Sequence, residues 1–175
     1  MNEKAQTLTG YPSIDKPWLK YYSEEAINAE FPACTVYQNI YEHNKEHLED
    51  IALVYFGTRM TYGKMFEEIE KTATAFANYG VKKEDKVILF TSSTPEIVIA
   101  VLALNKIGAV ANMINPLFEE EQIIARVNET EATLMIAMEQ LWPKIENIVD
   151  KLCIKKYAIV SVTDAMPFIK NVLSG

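Results

Sequence analysis

The sequence predicts an α/β fold of three layers, a mostly parallel sheet with helices on both faces, preceded by an irregular N-terminal arm. Two observations predict it. KVILFT (86–91) and TLMIA (133–137) are short, continuous apolar runs, the pattern of strands buried on both faces. Such runs alternate with amphipathic stretches of ten or more residues, and parallel neighbours need helical crossovers of that length.

The arm covers residues 1–35. GYPSIDKPWLKYYSEEAINAEFPACT is too broken by proline for a long helix and too apolar for a disordered tail, so Trp18, Leu19, Tyr21 and Tyr22 are expected to dock it. A helix follows from Thr35 to His47, with Val36, Ile40, Tyr37 and Tyr41 facing inward. IALVYFG (51–57) reads as a strand that GTRMTY turns around. Thr61 then caps the clearest helix of the chain, in which Tyr62, Met65, Phe66, Ile69, Ala73, Phe76 and Ala77 recur at helical spacing before Gly80 stops it.

After strand 86–91, Thr94-Pro95-Glu96 predicts a helix start. The hydroxyl accepts a free amide, proline needs no amide partner, and the carboxylate meets the positive helix end. That helix runs to Lys106 and Gly108 ends it; GAVANMIN forms the next strand and Pro116 breaks it. Glu119, Glu120 and Glu121 open a further helix with Ile123, Ile124 and Val127 inside. Strand 133–137, a helix over 139–151 and strand YAIVSV (157–162) complete the order, with no internal repeat.

Charge narrows the function classes. Seventeen basic and 24 acidic residues leave a net charge of −7 with no basic run, which argues against sequence-independent nucleic-acid binding. No signal-peptide pattern opens the chain, and no apolar stretch is long enough to span a bilayer. Cys34 and Cys153 lie far apart and outside any CxxC pattern, so two reduced cysteines and a cytoplasmic setting are expected.

Little catalytic chemistry announces itself. HNKEH sets His43 and His47 four residues apart, but Glu46 does not follow the first histidine as a zincin requires, and no third ligand appears, so no metal site is expected. No GxSxG elbow or GxGxxG fingerprint is present. TSSTPE (91–96) sits at a strand-to-helix junction, where open α/β sheets bind ligands, yet it holds neither the glycines nor the lysine of a phosphate loop.

Six motifs stand in register. PWLKYY (17–22), TY before a helix (61–62), GVKKEDKV (80–87), TPE (94–96), NKIGAVANMINP (105–116) and EATLMIA (131–137) occur in the order and spacing of AMP-forming acyl-CoA synthetases. The chain resembles the N-terminal part of these adenylate-forming enzymes, most narrowly of the long-chain fatty-acid–CoA ligases, over roughly residues 15–160. Each motif alone is only turn and packing chemistry; their common register is the specific signal. The resemblance implies that residues 36–175 are an incomplete N-terminal subdomain of a larger multi-domain fold.

It also implies a reaction. A fatty acid attacks ATP to give an acyl-adenylate and pyrophosphate, with Mg²⁺ offsetting charge on the leaving group; CoA then takes the acyl group and AMP departs. The family's phosphate loop, a Ser/Thr/Gly-rich stretch ending in Pro-Lys-Gly, has no counterpart in these 175 residues. The resemblance therefore implies no catalytic residue here, and no tight binding of ATP, CoA or Mg²⁺ by this chain alone. TSSTPE aligns instead with an upstream Asn-Ser-Pro-Glu loop, Ser93-Thr94 replacing Asn-Ser. In related ligases the segment after the GAV strand approaches CoA, which brings Asn115, Pro116, Leu117 and Phe118 to the cleft, with ordinary strand-to-helix turn chemistry as the competing reading. Lys144 would meet a CoA phosphate only as a point charge and reads first as an ordinary surface lysine. Two other functions compete with a ligase fragment inactive by itself: a non-catalytic α/β binding module, and one half of a split ligase. A sheet interrupted before its last strands also predicts self-association.

Overall fold

The structure is a computed structural model that describes residues 8–161. Two units divide the chain, one ending at Ala33 and the other starting at Cys34. The first contains α1 (Pro12–Asp15), a 3₁₀ turn (Pro17–Tyr21) and α2 (Glu24–Ile27). Its start is tied by Asp15, whose carboxylate accepts from the Thr9 amide (2.9 Å), the Thr9 hydroxyl (2.8 Å) and the Gly10 amide (2.9 Å). Those donors hold the carboxyl below its usual range. Trp18, Tyr21 and Tyr22, expected to anchor the arm, stand exposed.

In the second unit α3 (Val36–Asn44) precedes a hairpin of β1 (Ile51–Tyr55) and β2 (Thr58–Thr61). There follow α4 (Tyr62–Asn78), β3 (Lys86–Phe90), α5 (Pro95–Lys106) and β4 (Val110–Met113). Then come α6 (Glu120–Thr130), β5 (Leu134–Met138), α7 (Trp142–Glu146) and β6 (Tyr157–Val160). The main sheet has the order β4-β3-β5-β6 and all three of its pairings are parallel.

Alternation along the two central strands builds the layers. Ile88, Phe90, Met135 and Ala137 face one way and pack with Ile123 and Val127 of α6 and Ile145 of α7. Val87, Leu89, Leu134 and Ile136 face the other way and pack with Ile97, Ala100 and Leu104 of α5. A third cluster joins the far side of α5 (Ile99, Leu102, Ala103) to Met65, Phe66 and Ile69 of α4 and to Tyr37 of α3. Helix α5 is thus covered on two sides, which is why its sequence is apolar all round.

Several local expectations are corrected. Helix α3 stops at Asn44, so His47 lies beyond it and the i,i+4 histidine pairing of HNKEH does not form. Only Tyr37 of α3 is fully buried; Val36, the first helical residue, is 61% exposed. The stretch 139–151 is a short α-helix between two 3₁₀ turns rather than one helix, because Pro143 has no amide to continue a helix from Glu139. The hairpin turns through Phe56 (φ 47°) and Gly57 (φ 88°), the positive angles of a two-residue primed turn.

A polar cluster fastens α3. Lys106 Nζ lies 2.7 Å from a Glu70 carboxylate oxygen and 4.4 Å from the Tyr37 ring centre. The Tyr37 hydroxyl donates to Glu70 (3.2 Å), and the Tyr37 amide donates to Asn105 Oδ1 (2.9 Å). The Lys106 hydrogen bond draws the Glu70 carboxyl down, while burial pushes the Tyr37 phenol up. A lowered carboxyl stabilises the fold above its unfolded value and loses that contribution as pH falls; a raised phenol loses its contribution as pH rises. Acid should therefore weaken the attachment of α3, and Glu70→Gln should shrink the acid limb of a urea-midpoint series, the remainder belonging to Glu67 and Glu68, which Lys71 and Lys64 also hold down. Ile88→Ala, a truncation at a fully buried site, should cost about 2–5 kcal/mol by urea denaturation with an unchanged m-value.

Candidate functional site

The strand order reverses at β3. From β3 the chain crosses through α5 on one face to β4, then returns through α6 on the opposite face to β5. The connections leaving β3 and β5 therefore diverge to opposite faces, and such a switch point opens a crevice outside the carboxyl ends of the strands. TSSTPE leaves β3 at this end, and Asn115–Phe118 leaves β4 beside it.

Asn115 builds the second loop. Its side-chain oxygen accepts from the Leu117 amide (3.0 Å) and its carbonyl from the Phe118 amide (3.1 Å), an Asx turn that proline at 116 favours. Asn115 and Phe118 line a groove of about 480 Å³ with Asn112, Arg126 and Thr130. Pro116 is not among the lining residues, and Leu117, 85% exposed, points elsewhere. Two of the four residues expected at a cleft therefore share one wall.

Lys144 is not a free cation. Its ammonium donates to the carbonyl of Pro116 (3.1 Å) and to that of Phe118, so it clamps the turn from α7. Arg126 went unnoticed in the sequence. On α6 its guanidinium stands 4.7 Å from the Phe118 ring centre, at the groove wall. Its position eight residues after Phe118, inside an apolar helical pattern, was the available signal.

TSSTPE behaves differently from its sequence reading. Pro95 does open α5, but Thr94 makes no side-chain capping bond; its carbonyl accepts from Ile97 and Val98 instead (both 3.2 Å). Thr91 Oγ1 and Glu96 Oε2 are shielded from solvent and have no hydrogen-bond partner among the described residues. Ser92 and Ser93 are exposed.

A model of the AMP-binding enzyme family matches residues 40–173. The chain belongs to that family. Among curated relatives it is 28% identical over 156 residues to an acetyl-coenzyme A synthetase of Chlorobaculum tepidum, covering 83% of this chain and 23% of the relative. It is 26% identical over 160 residues to a long-chain-fatty-acid–CoA ligase of Bacillus subtilis, covering 90% of this chain and 28% of that ligase. The crystal structure of a long-chain-fatty-acid–CoA ligase from Archaeoglobus fulgidus superposes with a TM-score of 0.70 at 19% identity, over 79% of this chain and 30% of that one, and shows the same fold. The chain thus spans about a quarter of the length of these relatives.

In this member of the family the turn after β4 is fixed from two sides, by Asn115 and by Lys144. Lys144→Met removes the clamp without removing the stem. It should cost about 1–2 kcal/mol by denaturant midpoint and speed hydrogen exchange at the Leu117 and Phe118 amides.

Proposed function

We propose that this chain is the N-terminal part of an ATP-dependent acid–CoA ligase. The ligase forms an acyl-adenylate and pyrophosphate from a carboxylic acid and ATP, then passes the acyl group to the thiol of CoA and releases AMP. The observation that carries this reading is the family match over residues 40–173, on a parallel sheet whose switch-point crevice lies where this fold class binds ligands. The proposed substrate is a long-chain fatty acid. The PWLKYY arm and the long-chain ligase of Bacillus subtilis among the relatives support it, while acetyl-coenzyme A synthetases that match as much of this chain make acetate the competing acid.

In this reading Asn115, Pro116, Leu117 and Phe118 border the path of CoA. Asn115 and Lys144 position the turn, and Phe118 offers it an apolar surface. Mg²⁺ would arrive with ATP and offset charge on the leaving pyrophosphate. The described residues form no cluster of three histidine, cysteine, aspartate or glutamate side chains, so no step is assigned to the metal here. The 175 residues contain no glycine-rich loop with a lysine to cradle phosphates, and the chain is therefore inactive by itself. It works in the cytoplasm, where ATP and CoA are found. Alone it self-associates through its sheet edges, where Val110, Met113 and Ile159 are exposed.

ATP–pyrophosphate exchange tests this with the longer protein and with the 175-residue chain, each given palmitate or acetate. Exchange is expected from the longer protein with palmitate and from the chain with neither acid. A preference for acetate would overturn the long-chain assignment, and activity of the chain alone would overturn its inactivity. Absence of exchange in both would favour a non-catalytic binding module; recovery on adding a separately encoded protein would favour a split ligase.

A further inference from the structure

The groove beside the Asn115–Phe118 turn holds a cation whose hydrogen-bonding capacity is unused. Of the 17 basic residues only Arg59 and Arg126 are arginines, and Arg126 lines this groove. Its contact with the Phe118 ring engages the charge but satisfies none of the five N–H donors of the guanidinium. Arg126 makes no hydrogen bond or ion pair with another described residue. Glu129, three residues on along α6 and exposed at the same groove, is the natural ion-pair partner, yet no pair forms.

The turn gathers positive charge from a second direction. Lys144 is committed to the carbonyls of Pro116 and Phe118 and pairs with no carboxylate among the described residues. Two cations thus flank Phe118 on a chain whose net charge is −7. Arginine is the side chain that suits such a place. A lysine against the ring would be a point charge, whereas a planar guanidinium in contact with a ring can still turn two parallel N–H groups to an anion. Asn115 offers a further donor at the same wall, because the Leu117 amide occupies its side-chain oxygen and leaves its NH₂ free.

We propose that Arg126 is the anion anchor of this groove and holds a phosphate group of CoA beside the Asn115–Phe118 turn. The proposal rests on the ligase reading above, whose chemistry selects the anion. The carboxylate of the acid must lie against ATP, and ATP's own phosphates call for a glycine-rich loop with a lysine that these residues lack. CoA is the phosphate-bearing substrate that remains for this wall.

Titration of the longer ligase with CoA, with pantetheine (the thiol arm without phosphate) and with ATP tests the anchor. Arg126→Gln should weaken CoA binding about tenfold and leave pantetheine and ATP within about twofold. Arg126→Lys, which keeps the charge but not the fork, should recover only part of that loss. Glu129→Gln removes the acid from the groove and should tighten CoA about twofold, a gain that reads the same field should Arg126→Gln disturb α6. Equal losses with CoA and pantetheine would overturn the proposal, since Arg126 would then only steady Phe118. So would unchanged CoA binding, a loss confined to ATP, or a ligase that binds no CoA. ATP–pyrophosphate exchange, which needs no CoA, separates the two readings on the same samples. Exchange with CoA binding indifferent to Arg126 overturns the anchor alone; Arg126-dependent CoA binding without exchange supports the anchor and overturns the ligase reading.

Discussion

Helix α5 is claimed from two sides at once, and the rest of the second unit follows from how that is arranged. Ile97, Ala100 and Leu104 meet the sheet, while Ile99, Leu102 and Ala103 meet α3 and α4. A helix in that position has few side chains to spare for its own ends. Its start uses a proline that needs no amide partner, and its end uses Gly108 at φ 76°. A side chain at Gly108 would stand 2.9 Å from Lys83 Cγ, so it would be strained in conformation and would have to displace the exposed Lys83 side chain. The tight stop also sets what comes next. The Gly108 carbonyl accepts from Glu84, Ala109 donates back to Leu104, and Val110 donates to Asp85, which starts β4 in register beside β3. The position of the Asn115–Phe118 turn is thus inherited from the end of α5, four residues of strand earlier.

The architecture was legible for the same reason. Strands buried on both faces and a helix apolar all round leave a dense, aperiodic apolar signal between glycine and proline stops, and KVILFT, the α5 stretch and the stops at Gly80 and Gly108 carry it. Where packing did not dictate the residue, the reading failed. Thr94 has the composition of a cap, but the chain is already held there by Pro95 and by burial of α5, so the hydroxyl is not used. His43 and His47 have helical spacing only if the helix continues, and nothing buried beyond Asn44 obliges it to. The 139–151 stretch departs from the single helix expected there because Pro143 has no amide to continue one.

The site shows the same division between local and long-range information. That Asn115-Pro116 makes a turn is written in two adjacent residues. That Lys144 clamps the turn and Arg126 stands against Phe118 depends on helices returning from 26 and 8 residues away. A lysine on a short helix is an ordinary surface residue until the fold sets two carbonyls within its reach. Sequence could place the turn; only topology could supply its supports.

The TSSTPE junction has a physical account that is neither a phosphate loop nor a satisfied helix start. A phosphate loop turns backbone amides toward its ligand with glycine, and this stretch has none. A satisfied start would use its hydroxyls, yet those of Thr91 and Thr94 make no capping bond, while Glu96 keeps one carboxylate oxygen shielded and unpaired. At this junction burial of side chains in the core takes precedence over local hydrogen bonding, and the Thr91 hydroxyl goes without a partner among the described residues.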